Sequence, residues 1–283
     1  MPELPEVETV RRGLNRVSLG LPITGGDLLL PRTLAAPASA PAFWQGLVGS
    51  QVREWQRRGK YLLGELVAPN GAGRGWLVIH LRMTGKLLWV DPEQPLTSHC
   101  RARFFLADQH ELRFEDQRTF GRIWWVPPQT RPEAIVTGLA HLGPEPFEES
   151  FSLLYVQAAL KGSRRPIKSA LLDQTLVAGI GNIYADEALF LSGIRPTVLA
   201  GKLGRLRLQR LHEAIRAVLT KSIESGGTTF SDYRDIYGVN GNYAGVAWVY
   251  GRSGEPCRKC ARPIRRLVLT GRSAHYCPQC QRG

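Results

Sequence analysis

Acidic residues, cysteines and long apolar runs are all scarce in this chain of 283 residues. Asp and Glu number 24 against 37 for Lys and Arg, which gives a net charge of +13. This deficit of acids indicates a polyanionic partner, with nucleic acid as the leading candidate and an anionic membrane surface behind it. No apolar run is long enough for a membrane span, and the acidic N-terminus is wrong for a secretory signal. We therefore expect a cytoplasmic protein that does not bind a membrane.

The chain has only five cysteines, too few and too clustered for a disulfide framework in such a compartment. Four of them form two C-x2-C pairs near the C-terminus: Cys257, Cys260, Cys277 and Cys280. This spacing predicts a closed, four-thiolate, structural zinc site. The residues between the pairs predict two short strands around a turn at Thr270-Gly271, and Cys100 is expected to be a small buried hydrophobe.

The predicted zinc hairpin is basic, because 255–283 contains seven Lys and Arg residues against one acid. A basic zinc hairpin suits the groove of a nucleic acid. The alternative is a redox motif or a merely solvated tail, which the paired spacing disfavours.

The first ten residues, MPELPEVETV, place a proline directly after the initiator methionine. Apolar residues recur at helical spacing from Val7 to Val17, which predicts an amphipathic helix beginning near Glu3. Removal of Met1 would leave a secondary amine on Pro2, at the positive end of the helix dipole. Such an amine is partly neutral at physiological pH and can attack carbon to form an iminium, with Glu3 moving protons. The simpler interpretation is that Pro and Glu favour the first turn of a helix.

Two kinds of pattern divide the rest of the chain. Short runs that partly alternate between apolar and polar residues extend to about residue 126, which predicts an antiparallel sandwich or barrel. One of them, RARFFLADQHELRF, predicts a hairpin with Ala107–His110 at its bend. Proline-rich sequence follows, and beyond it the spacing is helical. The expected domains are residues 1–132, a linker at 133–150, a helical domain at 151–250 and a zinc hairpin at 251–283.

A glycine-rich turn, LVAGIGNIYADEA, lies between two predicted helices. Gly179 and Gly181 bracket the turn, and Asn182 can cap the next helix. Free N–H groups at a helix start suit a phosphate, although most turns of this kind are only turns. The basic stretch SRRPIK before it favours a phosphate site.

Several segments together resemble the formamidopyrimidine-DNA glycosylases, from the first residue to the last. They are PELPEVET, HLRMTGKL, GIGNIYADEALF, GEPCRKCARPI and HYCPQCQ. The resemblance implies an α+β fold: an N-terminal helix with an antiparallel β-sandwich, then a helix-two-turn-helix domain ending in a β-hairpin zinc finger with one zinc ion. It also implies a bacterial base-excision repair enzyme, associated with the nucleoid and monomeric, that acts on damaged double-stranded DNA. The expected activities are a glycosylase for 8-oxoguanine and formamidopyrimidines and an AP lyase.

The resemblance assigns the chemistry to the N-terminus. Pro2 would be the nucleophile and Glu3 the proton carrier, while Glu6 supports the site and Lys60 contacts DNA near the lesion. Attack of the Pro2 amine on the sugar C1′ would displace the base, and the iminium would let elimination expel the 3′ and then the 5′ phosphate.

The DNA contacts also follow from the resemblance. An enzyme that flips a base out of a duplex must fill the gap, here with Met83, Arg118 and Phe120. The expected phosphate contacts are His80, Asn182, Tyr250 and Arg272. The segment with Gly226, Gly227, Thr228 and Thr229 resembles a mobile loop that closes over the flipped purine. Without the resemblance, Met83 and Phe120 would be core residues, His80 an ordinary strand residue and the loop a plain connection between helices.

One position departs from the family pattern. Thr119 stands where many members have a second basic residue, so one phosphate contact is either absent or supplied elsewhere, for which Arg122 is a candidate.

Two other functions remain open. An endonuclease VIII-type glycosylase shares Pro2, Glu3 and the zinc hairpin but prefers oxidised pyrimidines; Leu4 and the separation of Met83 from Arg118 favour the purine enzyme. A non-catalytic zinc-ribbon DNA-binding protein would need only the charge and the cysteines.

Overall fold

The computed structural model describes residues 1–228 and 233–283, which fall into two units. Unit 1 consists of Met1–Ala140 and Gly226–Gly241. Unit 2 consists of His141–Ser225 and Asn242–Gly283.

Unit 1 begins with helix α1, Leu4–Val17, close to its predicted bounds. Pro5 lies in the first turn, where a missing N–H leaves no hydrogen bond unmade, and the carboxylate of Glu6 faces the positive end of the helix dipole. Val7 and Leu14 are fully buried, so the apolar face of α1 packs into the core of the unit.

The β-rich region forms two sheets, as predicted for a sandwich. Its strands among the described residues are β1 Ile23–Leu28, β2 Leu34–Ala36, β3 Gln51–Arg58, β4 Tyr61–Val67, β5 Gly73–His80, β6 Gly85–Val90, β7 Cys100–Leu106, β8 Glu111–Asp116 and β9 Arg122–Val126. The strand orders are β1-β7-β8-β6 and β2-β9-β5-β4-β3. Every pair is antiparallel except the short β2 with β9. The hairpin predicted at Ala107–His110 is the connection between β7 and β8.

A single apolar core joins the two sheets to α1 and to helix α2, Ala40–Leu47. Its large members include Phe43, Trp55 and Phe104, each at most 1% exposed. Burial of one such side chain contributes roughly 1.5–3 kcal/mol. This core gives the N-terminal helix and the strand ends a rigid support.

The segment Gly226–Gly241 packs with unit 1, although the predicted domain bounds place it with the helices. The N–H of Trp89, in the edge strand β6, donates to the carbonyl of Ile236 at 2.8 Å. Tyr233 and Ile236 are 7% and 1% exposed and join the core of unit 1. A hydrogen bond to a sheet edge and long-range apolar packing leave no local signal in the sequence, which explains the difference.

The stretch predicted as a linker contains two short helices, α3 Pro132–Ile135 and α4 Thr137–Ala140, which belong to unit 1. The predicted domain bounds themselves stay predictions.

Unit 2 contains helices and one β-hairpin. Its elements are α5 Leu153–Leu160, α6 Ile167–Leu171, α7 Asn182–Leu191, α8 Arg205–Glu224, β10 Arg265–Leu269 and β11 Arg272–Tyr276. Leu211 and Leu219 of α8 are fully buried, as the apolar stripe predicts. The hairpin turns at Thr270-Gly271, where both residues have a positive φ, 45° and 76°. Within the described ranges, no helix combines the length and the apolar character that crossing a bilayer requires.

Candidate active site and nucleic-acid contacts

The two residues that precede α1, Pro2 and Glu3, are buried. Pro2 is buried and Glu3 is 1% exposed, whereas Met1, which precedes them, is 40% exposed. With Met1 attached, the nitrogen of Pro2 is an amide nitrogen, and its lone pair is delocalised into the carbonyl. Removal of Met1 would convert it into an amine on the residue before Glu3.

Glu6 joins the start of α1 to the segment Gly226–Thr228. Its Oε2 accepts a hydrogen bond from the N–H of Glu3 at 2.8 Å, and its Oε1 accepts one from the N–H of Thr228 at 2.8 Å. Glu6 is 1% exposed, so both bonds form away from water, where hydrogen bonds to a carboxylate are strong. One buried carboxylate therefore fixes the position of Glu3 relative to Thr228.

Glycine is required at position 227 of this segment. Its φ is +83°, and a Cβ there would lie 3.1 Å from Cγ of Glu6 and 3.1 Å from Cε1 of Tyr233. The positive φ strains any side chain at this position, and a Cβ would also require Glu6 or Tyr233 to shift by a few tenths of an ångström. Three of the four predicted loop residues, Gly226, Gly227 and Thr228, thus lie beside the N-terminal site, and Thr229 lies outside the described residues.

We expect Glu6→Ala to slow base excision by about 10–100-fold, or about 1.4–2.7 kcal/mol in the barrier, because Glu3 and Thr228 lose the carboxylate that fixes their relative position. Single-turnover kinetics on a lesion-containing duplex measures this loss. Glu8→Ala is the control: it removes a carboxylate of the same helix that binds Arg11, Arg12 and Arg57 instead. Equal losses of excision rate in the two variants would contradict the role of Glu6.

Lys60 and His80 lie at neighbouring strand ends in unit 1. Lys60 occupies the turn between β3 and β4, His80 is the last residue of β5, and they are 8% and 7% exposed. Nδ1 of His80 accepts a hydrogen bond from the N–H of Arg82 at 2.9 Å, which places the ring proton on Nε2. Burial, and then the charges of Arg82 and Lys60, lower the pKa of His80 to about 3. His80 is therefore neutral at physiological pH and can offer a phosphate a hydrogen bond but no charge.

The turn that contains Met83 is bonded to the turn at residues 117–121, called here the Arg118 turn. The N–H of Arg118 donates to Oγ1 of Thr84 at 2.9 Å, and that hydroxyl donates to the fully buried carboxylate of Asp116. The other oxygen of Asp116 accepts from the N–H of Gly121 at 2.7 Å. These bonds bring together the two segments that carry the predicted gap-filling residues.

The side chains of the Arg118 turn point toward solvent. Phe120 is 48% exposed, and the guanidinium of Arg118 lies 5.0 Å from the centre of its ring. Phe120 is therefore not a core residue, and its role as a gap-filling residue stays a prediction. Met83 is half-buried.

Asn182 is the first residue of α7, and the residue at the N-cap position is Gly181, so the predicted capping role of Asn182 is wrong. Its Nδ2 instead donates to Oγ of Ser273 at 3.2 Å, and its Oδ1 has no hydrogen-bond partner among the described residues. Turning the amide over would let Ser273 donate to Oδ1 and would leave the NH2 group of Asn182 able to donate. In either orientation that position is buried, and the phosphate contact of Asn182 stays a prediction.

Two acidic residues of α7 position the other predicted contacts of unit 2. The carboxylate of Glu187 accepts hydrogen bonds from the N–H groups of Trp248, Val249 and Tyr250 at 2.7–2.9 Å. Asp186 accepts one from the N–H of His275 in β11 at 2.8 Å. Tyr250 is half-buried, and Arg272, at the start of β11, is exposed.

Lys168 completes the attachment of the hairpin to α7. Its Nζ lies 2.6 Å from Oδ1 of Asp186, both side chains are fully buried, and Nζ also donates to the carbonyl of Ser273. Sequence reasoning missed Lys168, Asp186 and Glu187, although charged residues within the apolar stretches PIKSALL and NIYADEALF were a signal. A buried charge requires a partner, so each of them implied a contact with another segment.

The four cysteines of the hairpin are close enough to bind one metal ion. All four Sγ atoms lie within 4.8 Å of one another, with Cys257 and Cys280 3.9 Å apart and Cys260 and Cys277 3.4 Å apart. A tetrahedral zinc site with bonds of about 2.3 Å requires sulfur separations of about 3.8 Å. The N–H groups of Lys259 and Cys280 donate to the sulfurs of Cys257 and Cys277, which favours thiolates. The prediction of one structural zinc is confirmed, and Cys100 is buried elsewhere, in unit 1.

A β-sandwich unit that begins with a buried, proline-led helix, in one chain with a helical unit ending in a zinc hairpin, defines a DNA glycosylase of base-excision repair. The profile described as the formamidopyrimidine-DNA glycosylase N-terminal domain matches residues 1–123. The model of the formamidopyrimidine-DNA glycosylase H2TH domain matches residues 142–234. The model of the zinc finger found in FPG and IleRS matches residues 254–283.

Known relatives agree over the full length. Formamidopyrimidine-DNA glycosylase of Acaryochloris marina is 58% identical over 281 residues, which cover 99% of both chains. That of Nostoc punctiforme is 57% identical over 99% of this chain and 96% of its own. The crystal structure of the MutM (Fpg) protein from Thermus thermophilus matches with a TM-score of 0.87 and 40% identity, covering 99% and 98% of the two chains.

A complex between Lactococcus lactis Fpg and an abasic site containing DNA matches with a TM-score of 0.90 and 34% identity, covering 99% and 100% of the two chains. A mutant of the same protein, in complex with a Fapy-dG containing DNA, gives the same TM-score. The chain belongs to the formamidopyrimidine-DNA glycosylase family. The predicted family, fold class and enzyme type are thereby confirmed.

Proposed function

We propose that this chain excises oxidised purines, 8-oxoguanine and formamidopyrimidines, from duplex DNA through a Schiff base on Pro2 and then cuts the strand. The observation that carries the proposal is the buried start of α1, where Pro2 and Glu3 lie together and Glu6 bonds Glu3 to the Gly226–Thr228 segment. A relative of the same fold binds Fapy-dG and abasic DNA, which supports this substrate class.

The chemistry begins with the lone pair of the Pro2 amine, which is available once Met1 has been removed. The nitrogen forms a bond to C1′ of the sugar, and the glycosidic bond breaks, with its electron pair leaving on the base, which takes up a proton. The nitrogen then gives up its proton, and its lone pair opens the bond from C1′ to the ring oxygen as the iminium forms; that oxygen takes up a proton. We assign these proton transfers to Glu3, whose buried carboxyl belongs to the residue next to Pro2 in the chain.

Strand cleavage uses the iminium as an electron sink. Loss of a proton from C2′ sends its electron pair toward the iminium carbon, and the 3′ phosphate leaves as the C2′–C3′ double bond forms. A second elimination expels the 5′ phosphate in the same way. The products are a gap of one nucleotide with phosphate at both ends and the sugar fragment, which water releases from Pro2.

The flipped base leaves a gap that Met83 and Phe120 fill, while Arg118 pairs with the orphaned base. The exposure of Phe120 and the hydrogen bonds that join the two turns support these roles. The cost of unstacking is a few kcal/mol, which such wedges offset.

Phosphate binding divides between the two units. In unit 1, Lys60 supplies charge near the lesion and His80 supplies a neutral Nε2–H donor. In unit 2, the contacts come from Asn182, Tyr250 and Arg272. The zinc ion, when bound, holds the hairpin on which Arg272 lies; it takes no part in the reaction, because four thiolates leave no open position.

The glycine-rich segment with Gly226, Gly227, Thr228 and Thr229 closes over the flipped purine. The chain acts as a monomer on damaged double-stranded DNA, in the bacterial cytoplasm and associated with the nucleoid.

The proposed function is tested by borohydride trapping on a duplex with one 8-oxoguanine, followed by peptide mapping of the adduct. Reduction converts the iminium into a stable amine, and we expect the DNA fragment on the nitrogen of Pro2 in protein that lacks Met1. A duplex with one oxidised pyrimidine, run in parallel, distinguishes the endonuclease VIII-type alternative. Zinc-replete protein that binds the duplex yet yields no adduct would overturn the mechanism.

A further inference from the structure

Arg32 lies beside the Arg118 turn, although it is distant in the sequence. Its guanidinium donates a hydrogen bond to Oγ1 of Thr119. Arg32 belongs to the short 3-10 segment Pro31–Thr33, and the strand that follows it, β2, pairs with β9 directly after the Arg118 turn. The sheet register therefore places Arg32 next to Thr119.

The guanidinium of Arg32 has unused hydrogen-bonding capacity. Arg32 is exposed and forms no ion pair with a carboxylate anywhere in 1–228 or 233–283. A guanidinium has five N–H donors, and the bond to Thr119 occupies one of them. Other arginines of unit 1, such as Arg103 and Arg113, are paired with Glu111.

The neighbouring charges leave the surface of the Arg118 turn positive. Asp116 is fully buried, and its two oxygens already accept from Thr84 and Gly121. Arg122, the candidate replacement for the missing basic residue, donates instead to the carbonyls of Thr119 and Gly121 at 3.3 and 2.8 Å. Arg122 therefore holds the turn together, whereas the guanidinium of Arg118 lies over the exposed ring of Phe120 and that of Arg32 is bonded to Thr119, the preceding residue.

One guanidinium over an exposed aromatic ring and a second bonded to the neighbouring residue fit a nucleic-acid backbone beside an unstacked base step. We propose that Arg32 is a DNA-contacting residue that binds a backbone phosphate next to the step that Phe120 enters, with Thr119 orienting its guanidinium. The positive charge that many family members carry at the position of Thr119 is thus supplied here by Arg32, from a different segment of the chain. This inference rests on the proposed function, in which the Arg118 turn enters the duplex.

The test measures the dissociation constant for a lesion-containing duplex as a function of salt concentration. One lost phosphate contact lowers the slope of log K against log salt by about 0.9. We expect Arg32→Gln to lower the slope by that amount and to weaken binding about 5–10-fold at roughly 0.1 M salt. We expect the double variant Arg32→Gln/Thr119→Arg to recover the slope, because the charge returns at the same turn.

Arg131→Gln is the matched control, since Arg131 is an exposed arginine whose ion pair is with Glu133, and its loss changes the net charge equally. A slope for Arg32→Gln equal to that of Arg131→Gln would overturn the proposal. So would an unchanged slope with a slower single-turnover rate at saturating duplex, which would make Arg32 only a support of the turn. Failure of the unmodified protein to bind or cleave would count against the proposed function instead.

Discussion

Protein that retains Met1 will bind a lesion-containing duplex but will neither cleave it nor form a borohydride-trapped adduct. With Met1 attached, the Pro2 nitrogen belongs to an amide, whose lone pair is delocalised and cannot attack carbon. The proposed DNA contacts belong to other residues, from Lys60 to Arg272, so we expect binding to persist without a free amine on Pro2. We expect the cleavage rate to fall at least about 1000-fold, the scale on which enzymes lose activity without their nucleophile.

The comparison requires two preparations of the same chain that differ only in Met1, with mass spectrometry to establish the state of the N-terminus. A Pro2→Gly variant with Met1 removed is the informative control, because it keeps an amine at the same place but makes it primary. We expect this variant to form some trapped adduct and the Met1-containing protein none. Full cleavage activity with Met1 in place would move the nucleophile to another residue.

Loss of the zinc ion will have the second large effect. The strands β10 and β11 have five residues each, too few for a hairpin to be stable alone in water. Zinc binding contributes roughly 10–16 kcal/mol in small zinc-finger peptides, so the hairpin depends on it for its fold. We expect Cys260→Ala to lose zinc, to lose amide-exchange protection across residues 265–276 and to bind DNA at least about 100-fold more weakly, since several of the seven basic residues of 255–283, Arg272 among them, are no longer positioned.

Zinc content by elemental analysis, hydrogen exchange and DNA affinity should change together in this variant. Cys100→Ala provides the matched control, because Cys100 is a buried cysteine of β7 in unit 1, outside the cysteine cluster. It should keep one zinc per chain and its affinity for DNA. Retention of hairpin protection in zinc-free protein would show that packing alone folds the hairpin.

Local patterns in the sequence were sufficient to predict the elements on which the site is built. The spacing of the cysteines from Cys257 to Cys280 predicted the zinc hairpin. The alternation of apolar and polar residues in RARFFLADQHELRF predicted β7 and β8 with their turn. In both cases the interacting residues are close in the chain, so geometry and spacing are directly linked.

Contacts between residues that are distant in the sequence could not be predicted from such local patterns. The bond from Thr228 to Glu6 joins residues 222 positions apart, and that from Lys168 to Ser273 spans 105. Periodicity indicates which face of an element is buried but not which segment covers it. The family resemblance supplied the proposed site residues. Only the structure showed that Asp186, Glu187 and Lys168 position some of them.

Helix α7 limits which amino-acid substitutions unit 2 can accept. Its consecutive acids Asp186 and Glu187 fix two different segments, one with Arg272 and one with Tyr250, while Asn182 begins the same helix. Because these partners share one support, substitutions among them are coupled and their effects do not add. The proposed DNA contacts of unit 2 therefore depend on one helix, and we expect a change at Asp186 to be tolerated only with compensating changes at Lys168 and in the hairpin.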